Sequence, residues 1–213
     1  HPDSHIFGKN VHEVRMAYGR RLAQEHPVDA DMVIPIPDSG NSAALGYSRA
    51  SGIPLDFGFI RNHYVGRTFI MPEDKQRKYS ADMKLAVLPD VIKGKRVIAV
   101  DDSIVRGNTM AKRIRMLREA GAKEVHVRIS CPPIKHPCFY GIDFPTSEEL
   151  VASTRTVEDI RQLMDADTLG YLSLEGILSP FDNPQDFCTA CFSGAYPVAI
   201  ESFEGKKALE KHS

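Results

Sequence analysis

Two periods of apolar residues alternate along the chain. Val11, Val14, Ala17 and Leu22 recur at helical intervals between charges in "NVHEVRMAYGRRLAQEH", predicting an amphipathic helix. The short apolar run in "DMVIPIPDSG" predicts a strand, stopped by prolines and a turn. "NSAALGYSRASG" predicts a helix ending at Gly52, and "IPLDFGFI" a second strand. "RVIAV" then predicts a strand, "TMAKRIRMLREAG" a helix with Met110, Ile114 and Leu117 on one face, and "EVHVRIS" another strand. Between the two halves, residues 61–84, "RNHYVGRTFIMPEDKQRKYSADMK", are polar and rich in cations, which predicts a long mobile loop, of a length usually functional or disordered. Beyond Pro132 the pattern is irregular, with short helical candidates at "SEEL" and "TVEDIRQLMDA".

The strands are continuous apolar runs separated by helices. An α/β fold follows, with a mostly parallel sheet covered by helices on both faces. In such sheets ligands bind beyond the carboxyl ends of the strands. The two strand ends of interest here carry "PDSG" and "DDSIVRGNT".

Length and composition narrow the classes. The 213 residues suit one ordinary domain with an appendage, with 42% hydrophobic and 26% charged residues and no apolar run long enough to span a membrane. A net charge of -1 gives no global reason to expect a nucleic-acid partner. The start, "HPDSHIFGKN", has no apolar signal region, so the expected location is the cytoplasm; it also lacks an initiator Met, which fits processing or an excised piece of something longer.

Asp101 and Asp102 emerge together from a buried strand. Adjacent carboxylates repel unless a positive or hydrogen-bond-donating group lies between or above them. A hard cation such as Mg2+ suits them, and so do the vicinal hydroxyls of a sugar. Residues 103–109 add small side chains, a Gly for close backbone approach, and a helix start with Asn108 or Thr109 as the cap, where backbone N–H groups and the helix dipole favour an anion. The structural alternative is a turn that merely caps a helix. With "PDS" ending a neighbouring strand, the combined pattern points to a phosphorylated sugar.

"VIAVDDSIVRGNT" resembles the phosphoribosyl pyrophosphate (PRPP) motif of type I phosphoribosyltransferases. Together with "PDSHIFGKNVHEVR", "VIPIPDSGNSAALGYSRASGIP", "RNHYVGRTFI", "REAGAKEVHVRISCPP" and "HPCFYGID", in this order, it resembles the phosphoribosyltransferase domain of the glutamine PRPP amidotransferase family. The resemblance implies a type I phosphoribosyltransferase fold over residues 1–165 and a cysteine-bearing extension, residues 166–213, packed on it. It implies Mg2+ at Ser39, Asp101 and Asp102. The 5'-phosphate loop falls on Ser103, Val105, Arg106, Gly107, Asn108 and Thr109, and a flexible closing loop on residues 67–84. There Arg67, Lys75, Arg77 and Lys78 are placed to stabilise charge developing on departing pyrophosphate and to exclude water. Arg67 and Lys75 are the candidate catalytic cations, against the alternative of a solvated surface loop.

The implied reaction is Mg2+-dependent displacement of pyrophosphate from PRPP by ammonia, the first step of purine synthesis. Neutral ammonia is already a nucleophile, so positioning and shielding matter more than a general base. The family's N-terminal glutaminase domain has no counterpart here, so the resemblance implies the transferase half, using free ammonia. Purine nucleotides are implied as inhibitors at the PRPP site, and a homotetramer as the assembly. The alternatives are a PRPP-sensing regulatory module, which wants a DNA-reading helix-turn-helix that the chain does not supply, and a purine salvage transferase, which leaves "RNHYVGRTFI" and the cysteines unexplained.

Cys188 and Cys191 form a C-x-x-C pair in "FCTACF", suited to zinc, an iron-sulfur cluster or redox exchange. Burial of all four cysteines as small hydrophobes is the structural alternative. One branch of the resembling family carries a structural 4Fe–4S cluster whose ligand pattern falls on Cys138, Cys188 and Cys191, with a fourth ligand upstream of residue 1. Cys131 is the weaker substitute, since it follows a strand expected to be buried.

Overall fold

The computed structural model describes residues 1–61, 85–142 and 146–198. The opening pair of two-residue strands, β1 (His5–Ile6) and β2 (Lys9–Asn10), is antiparallel and leads into α1 (Val11–Glu25). The Asn10 side chain caps α1 by accepting from the Glu13 N–H at 3.2 Å. β3 (Met32–Pro35) follows, then α2 (Asn41–Ser51), which ends on the left-handed Gly52 where the sequence places its stop.

The expected second strand is divided by its own geometry. Leu55 makes a single parallel bridge to Val33, while β4 (Phe59–Arg61) turns away to pair antiparallel with β5 (Leu85–Val87). The helical turn α3 (Pro89–Ile92) leads to β6 (Arg96–Asp101), α4 (Asn108–Glu119) and β7 (Glu124–Ile129). "SEEL" becomes a 3-10 turn at Ser147–Glu149, continued by α5 (Val151–Thr154); α6 (Val157–Met164) starts with a Thr156/Asp159 capping box.

The chain then supplies a strand that the sequence reading lacks, β8 (Thr168–Tyr171). Four residues containing a Gly carry too little periodicity to be read as a strand. The expected division after residue 165 runs just ahead of it. Two short helices, α7 (Leu174–Leu178) and α8 (Ala190–Ser193), complete the described chain.

The central sheet is fully parallel in the order β3-β6-β7-β8. Its side chains alternate between two cores. Val33, Ile98 and Val100 pack under Leu22 of α1 and Tyr47 of α2. Ile34, Val97, Ala99, Val125 and Val127 pack under Met110, Ile114 and Leu117 of α4 and Ile160 of α6. Ile98, Ile114, Leu117 and Ile160 are fully buried, each contributing about 1.5–3 kcal/mol. Because all four strands run the same way, Pro35, Asp101, Ile129 and Tyr171 end at one edge. β3 and β6 are neighbours, so the loops following them lie side by side.

Candidate functional site

Two strand ends build the site. The loop after β3 is stitched to β6: the Ile36 N–H donates to Val100 O at 2.9 Å, and the Gly40 N–H returns to Ile36 O at 2.9 Å. A cis peptide joins Pro37 to Asp38, and Asp38 is paired with Arg61 at the end of β4. Gly40 sits where nothing larger fits, because a Cβ there would lie 2.2 Å from Val100 O and 2.8 Å from Ile36 O. Gly40→Ala is therefore expected to push this loop off β6, lowering stability by about 2 kcal/mol in urea denaturation. An unchanged denaturation midpoint would contradict this contact.

The two aspartates, read together in the sequence, have different surroundings. Asp101 is 3% exposed. Its Oδ1 accepts from Ser39 Oγ at 3.1 Å and from the Asp102 N–H at 2.9 Å, and its Oδ2 accepts from Arg113 Nη1 at 2.6 Å. The backbone carbonyl of Asp101 accepts from the N–H and the hydroxyl of Ser130. Burial pushes the Asp101 carboxyl up to about 7 against the pull of Arg113, and the neighbouring charge of Asp102 adds to the rise. Asp102 is exposed, and its Oδ2 accepts from Ser103 Oγ at 3.2 Å.

Residues 103–107 then curve into α4. Ile104 is buried and anchors the loop. The expected cap at Asn108 or Thr109 is corrected: Gly107, at φ +83°, is the N-cap, and α4 already begins at Asn108. The left-handed conformation favours Gly, and the first turn has neither a side-chain cap nor an acidic residue. Its backbone N–H groups and the helix dipole are left to an incoming anion. From the far side, Val151 N–H donates to Val105 O at 2.9 Å and Arg106 pairs with Glu149 at 2.9 Å, so Ser147–Glu149 and α5 brace the loop.

The structure thus brings Ser39, Asp101, Asp102 and the 103–109 loop to one edge. Arg67, Lys75, Arg77 and Lys78 lie outside the described residues. Arg113 and Glu149 went unread in the sequence. For Arg113 a signal existed: it lies three residues from Met110 and four from Leu117, so it interrupts the buried stripe of α4 with a charge.

Among the described residues, no group of three or more His, Cys, Asp and Glu side chains is spaced to hold a metal. For Mg2+ this is no obstacle, since that ion is commonly held by one or two carboxylates with substrate phosphates supplying further oxygens. Asp102 fits that requirement. The cysteines form a second locality. Lys135 and His136 donate their N–H groups to Cys191 O at 2.9 and 3.0 Å, which brings the segment carrying Cys138 against α8. Burial pushes the Cys191 thiol up, and nearby Cys138 and Cys188 push it further. Cys131 packs against the main core, and burial raises its thiol strongly. A 4Fe–4S cluster takes four ligands, and among the described residues these cysteines make no group spaced to hold a metal.

Among the described residues, no helix is long and apolar enough to cross a membrane. The Bacillus subtilis amidophosphoribosyltransferase is 55% identical over 204 residues, covering 93% of this chain and 43% of that protein. The Mycobacterium tuberculosis amidophosphoribosyltransferase is 52% identical over 217 residues, covering 98% and 41%. The chain thus spans about two fifths of the length of these relatives. A solved structure of glutamine PRPP amidotransferase from B. subtilis, complexed with ADP and GMP, superposes with a TM-score of 0.84 at 54% identity, covering 94% of this chain and 45% of that one. The parallel sheet, the paired aspartates and the loop leading into α4 are the type I phosphoribosyltransferase fold. Residues 12–138, which carry both strand-end loops, match the phosphoribosyl transferase domain family, and the chain belongs to that family.

Proposed function

We propose that this chain is the phosphoribosyltransferase part of an amidophosphoribosyltransferase, displacing pyrophosphate from PRPP with ammonia to give 5-phosphoribosylamine, the first step of purine synthesis. The observation that carries the reading is the exposed Asp102 carboxylate, set beside a loop that ends at an uncapped helix start. The loop and the α4 N-terminus receive the 5'-phosphate. Ser39, Asp101 and Asp102 would hold the Mg2+ side of the site, with Asp102 the exposed carboxylate of the pair. Bound Mg2+ would neutralise charge on the departing pyrophosphate. Arg67 and Lys75 are proposed to add positive charge to the same group from residues 67–84. The sugar gains cation character as the C–O bond breaks, so the residues' task is to orient PRPP and exclude water while neutral ammonia attacks.

Purine nucleotides share the 5'-phosphate and ribose of PRPP, and we propose that they compete at this edge; the B. subtilis relative was solved with ADP and GMP. A cytoplasmic homotetramer is the proposed assembly. Titration of the chain with PRPP in a calorimeter, with and without Mg2+, tests the site. Saturable binding that strengthens with Mg2+ is expected, and heats indistinguishable from dilution in both conditions would reject the proposal.

Residues 166–213, of which 199–213 lie outside the described residues, are proposed to form a cysteine-bearing extension that also lends β8 to the central sheet, and Cys138, Cys188 and Cys191 are proposed to contribute three thiolates to a structural iron-sulfur cluster. The support is the C-x-x-C spacing of Cys188 and Cys191 and the backbone contact that brings the segment carrying Cys138 against α8. After anaerobic reconstitution, the wild-type chain is expected to retain iron with a broad visible absorption, and Cys191→Ser to lose most of both. Equal iron in the two proteins would contradict the assignment.

A further inference from the structure

Ser130 follows β7 at the edge where the strand-end loops gather, and it is 7% exposed. Its N–H donates to Asp101 O at 3.0 Å, which continues the parallel ladder and which any residue but Pro would supply. Its Oγ donates to the same carbonyl at 3.2 Å, and this second bond needs a hydroxyl. The Asp101 carbonyl and the Asp102 N–H belong to one planar peptide unit, whose N–H donates on the opposite side to Asp101 Oδ1 at 2.9 Å. Ser39 Oγ donates to the same Oδ1 at 3.1 Å. A hydrogen-bonded chain therefore runs from Ser130 on the β7 side, through the peptide between the two aspartates, to Ser39 in the loop after β3. Turning that one plane would disturb both carboxylates and Ser39 together. Stability alone does not call for the hydroxyl: an Ala here leaves no buried group without a partner, because Asp101 O keeps the Ser130 N–H.

We propose that Ser130 is a positioning residue of the PRPP site: its hydroxyl fixes the peptide between Asp101 and Asp102, and through it the orientation of Ser39 and both carboxylates toward Mg2+ and PRPP. This rests on the PRPP reading above and extends it to a residue on the neighbouring strand. The task needs no contact between Ser130 and either ligand. Without the hydroxyl, one donor still holds the carbonyl, so the strand end stays paired while the plane gains freedom to rock. The site then has to be ordered by its ligands, and part of their binding energy is lost to that ordering.

The test measures three properties of the full chain: PRPP affinity in saturating Mg2+, the Mg2+ concentration that gives half-maximal PRPP binding, and the thermal melt. Failure of the wild type to bind PRPP would reject the functional reading and this proposal with it. Given wild-type binding, Ser130→Ala is expected to weaken PRPP about five-fold, the factor that one hydrogen bond carries, and to raise the half-maximal Mg2+ concentration about three-fold. The melting temperature should move by no more than about 3 °C. Ser130→Thr, which keeps the hydroxyl, should keep the Mg2+ requirement of the wild type. Wild-type PRPP affinity and Mg2+ requirement in Ser130→Ala would overturn the proposal. So would weaker PRPP binding at an unchanged Mg2+ requirement, which is what a merely structural serine gives. A Ser130→Thr chain that melts like the wild type yet carries the Ala defect would overturn it as well.

Discussion

Asp102→Asn is expected to lower pyrophosphate release from PRPP by about a hundred-fold or more while leaving the melting temperature close to that of the wild type. Asn has the size of Asp, and its amide oxygen can still accept from Ser103 Oγ. Asp102 is exposed at the end of β6, so no buried charge is left unpaired by the change. What disappears is the negative charge proposed to hold Mg2+. The same substitution removes a charge that raises the Asp101 carboxyl, so Asp101 should titrate lower in Asp102→Asn. Steady-state rates with ammonium as the nitrogen source, beside a thermal melt, check the prediction. A fall in activity matched by a collapse of the melt would assign Asp102 a structural role instead.

The second large effect concerns the scaffold. α1 and α2 cross at two glycines: a Cβ on Gly19 would lie 1.9 Å from Ala43 O, and one on Gly46 would lie 2.0 Å from Met16 O. These are backbone atoms, so no side-chain rotation relieves the clash and the helices must separate. For a helix interior, Gly→Ala by itself favours the helix by about 1 kcal/mol. Overpacking against a backbone carbonyl outweighs that gain, and Gly46→Ala is expected to cost about 3 kcal/mol net, lowering the melting temperature by about 6–12 °C. Chemical denaturation measures the difference. A stabilised Gly46→Ala would mean that helix propensity wins and that the crossing is not tight. Since α2 begins at Asn41, just after the loop that holds Ser39, loosening the crossing should also weaken PRPP binding.

Much of this architecture is legible in the sequence because the parallel strands are buried on both faces. "RVIAV" and "EVHVRIS" become β6 and β7, while Met110, Ile114 and Leu117 take up the buried face of α4 as their spacing requires. The carboxyl-end rule then pairs "PDSG", which holds Ser39, with "DDSIVRGNT", which holds Asp101 and Asp102. What escapes depends on long-range pairing. β8 is too short to carry a period of its own and becomes a strand only because β7 offers it a parallel edge. The "IPLDFGFI" run divides because Leu55 follows β3 while Phe59 follows β5. The helix cap moves from Asn108 to Gly107 because the loop enters α4 at φ +83°, which a residue-type preference for Asn or Thr does not reveal. The differing environments of Asp101 and Asp102 escape for the same reason: Arg113 is twelve residues from Asp101 along the chain, and only the turn into α4 brings its guanidinium back to the strand end.

Pyrophosphate release from PRPP, followed with Mg2+ and an ammonium salt, with glutamine as the comparison nitrogen source and Asp102→Asn as control, tests the central claim most directly. The site described here predicts release with ammonium that requires Mg2+ and is lost in Asp102→Asn. Release that proceeds equally well in Asp102→Asn, or no release from a chain that binds PRPP and Mg2+, would contradict it.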